Sequence, residues 1–172
     1  LSGDENLRVP VVRGLRFLLS RQQRSGGWDY KCYARNEEPR SDLSITGFCL
    51  MALNACRACS ERRSNNHGET EGDGGLRVPS RCLEALRAFV ESSTTRSGEG
   101  LYADAGMGFM RTSTSMTAVN LYARRVLGQS MDTELQQRQT TLILRNLPDF
   151  NNAKSWHSDP YQWYYASLAL VM

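Results

Sequence analysis

Cys56 and Cys59 form a lone Cys-x-x-Cys pair. Two thiolates at that spacing can hold two corners of a tetrahedral zinc site, which needs two more ligands. Cys32 and His67 are the only residues that could complete it. Cys49, Cys56 and Cys82 fall at apolar helix positions and read as small buried hydrophobes. The pair therefore reads as part of a helix surface, and no metal is expected. Nucleophile and phosphate motifs are missing: there is neither G-x-S-x-G nor a G-x-x-x-x-G-K-[ST] loop. His67 sits in a polar stretch and reads as solvated. His157, beside Asp159 and aromatic residues, is the one histidine near the expected end of an inner helix, and reads as structural or surface. No cofactor is expected. A last group is aromatic: Phe48, Tyr122, Trp163, Tyr164 and Tyr165 lie on strongly apolar segments. They either pack as core or hold an apolar ligand.

The elements that carry these residues follow from a repeat. Leu7-Arg8-Val9-Pro10 recurs as Leu76-Arg77-Val78-Pro79. Proline in a first turn costs no hydrogen bond and presets φ, so each copy reads as a helix start. Val11, Val12, Leu15, Leu18 and Leu19 then mark one helical stripe. Cys82, Leu83, Leu86, Phe89 and Val90 repeat it at a constant offset of 71. Both helices are amphipathic. Each is followed by a helix of another kind, apolar on nearly every face, near residues 41–58 and 113–127. Such a helix must be buried all round. Ser44-Ile45-Thr46-Gly47 aligns with Ser115-Met116-Thr117-Ala118 at the same offset. A third unit pairs a helix near 133–147, ended by Pro148, with an apolar one at 160–172 that Asp159-Pro160 starts. Residues 60–75 read as a polar, Gly-rich surface insertion. No β signal of any length is found.

The expected fold is all-α: three helical hairpins, amphipathic helices outside and apolar ones inside, in an α/α-toroid-like arc over residues 1–172. Tetratricopeptide and HEAT arrays fit less well, because the loops here are long and contain Gly and aromatic residues. The chain has 172 residues, 40 % apolar, with a mean hydropathy of −0.49. Its net charge of +3 rests on scattered arginines with no basic stripe, so nucleic acid is not an expected partner. No apolar run approaches the ~20 residues of a membrane span. The chain opens at Leu1 and stops at Met172 within an apolar segment, which reads as a section of a longer chain whose compartment stays open.

Residues Arg13-Gly14, Phe17-Leu18, Gln22, Gly26 and Trp28 resemble, in type and spacing, the QW motif of squalene and oxidosqualene cyclases. In that family the Gln ends an outer helix, and the Trp stacks back on it and on the next helix. The motif implies a stabilising clamp built from Gln22, Gly26 and Trp28. The second hairpin keeps Gly98, Gly100 and Tyr102 in register with Gly26, Trp28 and Tyr30, and the third keeps Trp156. The cyclases protonate an alkene with clustered aspartates. Asp104 is the nearest counterpart here and stands without a second acid. The related protein prenyltransferases bind zinc through Asp, Cys and His. Asp42 matches the Asp, while Ser44 and Gln162 stand where the Cys and His would be. The resemblance thus implies no zinc. It leaves Asp42 either as an acid favoured by a helix dipole or as a carboxylate at a cavity mouth.

Three functions compete. The first is a toroid-type domain holding an apolar, isoprenoid-like ligand on Phe48, Tyr122, Trp163 and Tyr164. The second is a terpenoid cyclase or prenyltransferase whose acids or metal ligands lie outside this segment. The third is a protein-interaction scaffold. The last helix, with Trp163, Tyr164, Leu168, Leu170 and Val171, forms an apolar edge. We expect a second copy, or further polypeptide, to cover it.

Overall fold

A computed structural model of the chain describes residues 5–31, 40–67, 75–103, 111–129, 133–147 and 159–172. Cys32, Asp104, Pro148, Trp156 and His157 lie outside these residues, as does the His67 side chain. Six helices are described: α1 (Glu5–Arg21), α2 (Leu43–His67), α3 (Ser80–Ser92), α4 (Thr114–Val126), α5 (Thr133–Leu144) and α6 (Pro160–Val171). The protein is mostly helical.

The amphipathic helix α3 buries Cys82, Leu86, Phe89 and Val90, one stripe at helical spacing. Helix α4 buries nearly every residue from Ser115 to Val126, the polar Ser115, Thr117, Asn120 and Arg124 included. It is the hub of the fold and packs against α2, α3, α5 and α6. The core runs from Leu43, Leu50 and Leu53 of α2 through Met116, Val119 and Leu121 of α4 to Tyr165 and Ala169 of α6.

Four features differ from the sequence reading. Helix α2 runs on to His67, so residues 60–67 of the expected insertion are helical; helix formers such as Glu61, Arg62 and Arg63 continue the turn where composition suggested a loop. Pro10 lies inside α1, whereas Pro79 does precede α3 as its N-cap. A small antiparallel sheet pairs β1 (Gly100–Leu101) with β2 (Thr112–Ser113); two-residue strands are too short to show alternation. Finally, Leu43–Arg62 of α2 is long and apolar enough, by composition, to cross a membrane. The same composition suits a core helix, and Leu43 and Leu53 are fully buried against the rest of the fold.

The first two hairpins repeat in bonding as well as in sequence. After α1, Gln23 N donates to Gly27 O (2.8 Å) and Gly26 N to Gln23 O (2.9 Å). After α3, Thr95 N donates to Glu99 O (2.9 Å) and Gly98 N to Thr95 O (3.0 Å). Gly26 and Gly98 both have positive φ, 100° and 96°, a conformation open to glycine at little cost. Each loop then ties to the next inner helix. Trp28 N donates to Thr46 Oγ1 (2.9 Å), and Gly100 N donates to Thr117 Oγ1 (3.0 Å).

Candidate functional site

The starts of the three inner helices meet at one end of the fold. Asp42 precedes α2, Ser113 caps α4 and Asp159 caps α6. The Ser115 hydroxyl of α4 donates to Asp159 Oδ2 (2.5 Å), and the Tyr161 hydroxyl of α6 donates to Ser44 O of α2 (3.2 Å). Further along, Phe48 of α2 and Tyr122 of α4 both meet Tyr165 of α6, so contacts advance in the same order along all three helices and they point the same way.

Asp42 is fully engaged there. Its Oδ1 accepts from Ser44 N (2.8 Å), from Ile45 N (3.3 Å) and from the Ser44 hydroxyl. Its Oδ2 faces Arg40 Nη2 at 3.2 Å, and Arg40 Nε also pairs with Asp29 (3.4 Å). It is 4 % exposed. An N-cap with both oxygens occupied satisfies helix donors that would otherwise lack partners. The residues aligned with zinc ligands are likewise occupied: Ser44 bonds Asp42, and Gln162 Nε2 donates to Asn146 O (2.7 Å). Among the described residues no three His, Cys, Asp or Glu stand close enough to hold a metal.

Beside these caps lies an aromatic cluster centred on Tyr165. Its ring meets Phe48 (6.0 Å), Tyr122 (5.6 Å), Tyr161 (4.9 Å) and Tyr164 (5.3 Å), mostly edge to face. Tyr165 is fully buried, and its hydroxyl lies against Gly47, where a side chain would come within 2.9 Å of it. That hydroxyl meets no partner at full hydrogen-bond geometry. The Tyr161 hydroxyl is near enough to act on it electrostatically but is directed at Ser44 O. Burial, then the neighbouring Tyr165, push the Tyr161 hydroxyl well above the usual tyrosine range. Burial does the same to Tyr165 against the opposing effect of Tyr161. Both remain protonated donors, unsuited to act as bases.

The aromatic residues expected to bind a ligand divide here. Phe48 and Tyr164 are 51 % and 45 % exposed, with the Tyr164 hydroxyl 3.7 Å from Met51 Sδ. Tyr122 is buried at 5 % against Tyr165, because α4 is enclosed by α2 and α6. It is a core residue and presents no surface to a ligand. Trp163 is half-buried.

Gln22, Gly26 and Trp28 are drawn together after α1. Gln22 Nε2 donates to Gly26 O (2.8 Å) and to Cys82 O of α3 (2.9 Å). Trp28 is 3 % exposed, and its Nε1 donates to Leu18 O (2.8 Å). A side chain at Gly26 would strike the Ala85 carbonyl. The loop thus joins the end of α1 to the first turns of α3.

A second constellation escaped the sequence reading. Asn120 is fully buried and its Oδ1 accepts from Arg124 Nε (2.9 Å), Gln139 Nε2 (3.0 Å) and Thr94 Oγ1 (3.1 Å). Its Nδ2 donates to Val90 O (2.9 Å). Arg124 reaches on to Thr94 and Gln129, and Gln129 reaches Glu91. Burial lowers the Arg124 pKa while Glu91 supports its charge. These residues knit α3, α4 and α5 through polar groups in a helix read as apolar. Burial pushes the Cys49 thiol up to about 11, and raises Cys56 and Cys82 as well, so these three are held as neutral thiols.

Comparison with protein-family models, with characterised proteins and with solved structures gives no match for this chain.

Proposed function

We propose that the chain is a helical-hairpin section of an α/α-toroid of the squalene-cyclase and prenyltransferase type, and that its inner face binds an apolar, isoprenoid-like molecule. The observation that carries this reading is the exposure of the aromatic Phe48 on α2 and Tyr164 on α6. They stand on a rigid base, since both rings lean on the buried Tyr165. Apolar ligands favour such preformed aromatic shelves. The parallel inner helices and the repeated loop bonding support the toroid part of the reading. Binding is favoured over catalysis because Asp42, the carboxylate at the start of α2, is committed as a helix cap. Titration with a fluorescent farnesyl alcohol analogue tests this. Saturable binding should weaken about tenfold or more in Phe48→Ser or Tyr164→Ser, the scale set by losing one buried aromatic contact. Non-saturable uptake, or equal binding by both variants, would overturn it.

A further inference from the structure

The two copies of Leu-Arg-Val-Pro have opposite surroundings. In the second, Leu76 and Val78 are 5 % and 9 % exposed, and the segment is non-helical, ending on Pro79 at φ −62° and ψ 141°. It runs beside α1, with Gly75 facing Val12. In the first, Leu7 and Val9 are 47 % and 55 % exposed and lie in the opening turns of α1. The Leu and Val of this sequence are therefore buried where α1 lies alongside and exposed in the opening turns of α1 itself. The helices differ likewise: Phe89 and Val90 are at most 1 % exposed, while their counterparts Leu18 and Leu19 are only half-buried; Leu86 and its counterpart Leu15 are both buried.

The seat that α3 offers is defined by its occupant. Gln22 bonds Cys82 O, and Gly26 presses on the Ala85 carbonyl, 3.2 Å from the Phe89 Cβ for any side chain it carried. The helix offset of 71 puts the equivalent positions on α1 at Val11, Gly14 and Leu18; because the tetrapeptide repeats at 69, this seat begins directly after Pro10, whereas on α3 it begins three residues after Pro79. Gly14 is exposed, and nothing lies within 4 Å of the point a Cβ would take.

We propose that this face of α1, from Leu7 to Leu18, is a docking surface for a further helical hairpin of the same repeat type. The Gln-x-x-x-Gly loop of that hairpin seats on Val11, Gly14 and Leu18 as loop 22–28 seats on α3. Docking draws Leu7-Arg8-Val9-Pro10 into the extended form of its twin. Pro10 makes this easy, because a proline inside a helix removes one of the bonds that hold the preceding turn. The occupant follows from continuity with an interface already formed within the fold, and not from the ligand reading of the inner face.

A variant that runs through residues 5–75 and then directly into 7–172 tests this, since it joins Gly75 to Leu7 as Gly75 is joined to Leu76. Amide exchange over residues 11–19 of the downstream α1 should slow at least tenfold, and Leu7 to Val9 should lose their helical signature. Gly14→Arg should cancel the slowing in that variant and leave exchange in the original chain no faster. Unchanged exchange in the extended variant would overturn the proposal. So would concentration-dependent protection of α1 in the original chain, which would mean that a second copy covers the face. A paired measurement needs no extension: Leu76→Ser with Val78→Ser should lower the urea midpoint, and Leu7→Ser with Val9→Ser should leave it in place. Equal losses would contradict the proposal.

Discussion

Gln22 donates its side-chain amide to the carbonyl of Cys82 at 2.9 Å, fastening the end of α1 to the first turn of α3. The same nitrogen holds Gly26 O at 2.8 Å, so one side chain sets both the loop and its seat. Gln22→Met keeps the length and removes both donations. It should cost about 1–3 kcal/mol in urea unfolding. Gln22→Glu should cost more, because a carboxylate then faces two carbonyl oxygens. A variant Gln22→Glu as stable as the parent would remove the clamp from the account.

Trp28 completes the joint, buried at 3 % with its indole nitrogen on Leu18 O. Trp28→Ala should destabilise by about 3–5 kcal/mol, the usual cost of emptying a large buried site. Trp28→Phe keeps most of the volume and loses the hydrogen bond, so it should fall between the two. Denaturant titration orders the three proteins directly.

These two residues were legible from their spacing with Gly26 within residues 13–28, although the second hairpin carries neither. So were α2, α4 and α6, from their runs of apolar residues, and the paired glycines 26 and 98. Other features were hidden for physical reasons. Asn120, Arg124 and Gln139 are polar residues whose partners lie up to 30 positions away, so periodicity cannot reveal that they satisfy one another. Tyr122 and Tyr164 look alike in sequence, and only the closure of α6 over α4 buries one and leaves the other exposed. Pro10 and Pro79 share a tetrapeptide, yet their neighbours make one helical and the other a cap.

The Asn120 cluster gives a third prediction. Asn120→Leu leaves the Arg124 guanidinium and the Gln139 amide facing an apolar side chain. Arg124 keeps Thr94 and Gln129, but buried donors left without an acceptor are expensive, and the loss should be about 1–3 kcal/mol. Adding Gln139→Leu should recover part of it, since that removes one of the stranded donors. Strict additivity of the two losses in a double-mutant cycle would show that the groups do not act together.

Burial of Cys49 makes stability sensitive to alkali. Its pKa rises from 9.0 to about 11 in the folded protein, so the folded state favours the neutral thiol. That preference stabilises the fold fully below pH 9.0 and is lost as pH climbs through about 11. Cys49→Ala should therefore flatten the fall in melting temperature over that interval, while leaving its dependence near neutrality unchanged. An identical alkaline profile in both proteins would count against burial of the thiol.

The central claim is that consecutive hairpins are built by the same bonds. Amide exchange at two positions tests it most directly. Trp28 N and Gly100 N each donate to the hydroxyl of an inner-helix threonine, Thr46 and Thr117. Both amides should exchange slowly in the native chain. Thr46→Val should release Trp28 alone, and Thr117→Val should release Gly100 alone. Rapid exchange at Gly100 in the unaltered protein, or release of neither amide by its own substitution, would contradict the equivalence of the two hairpins.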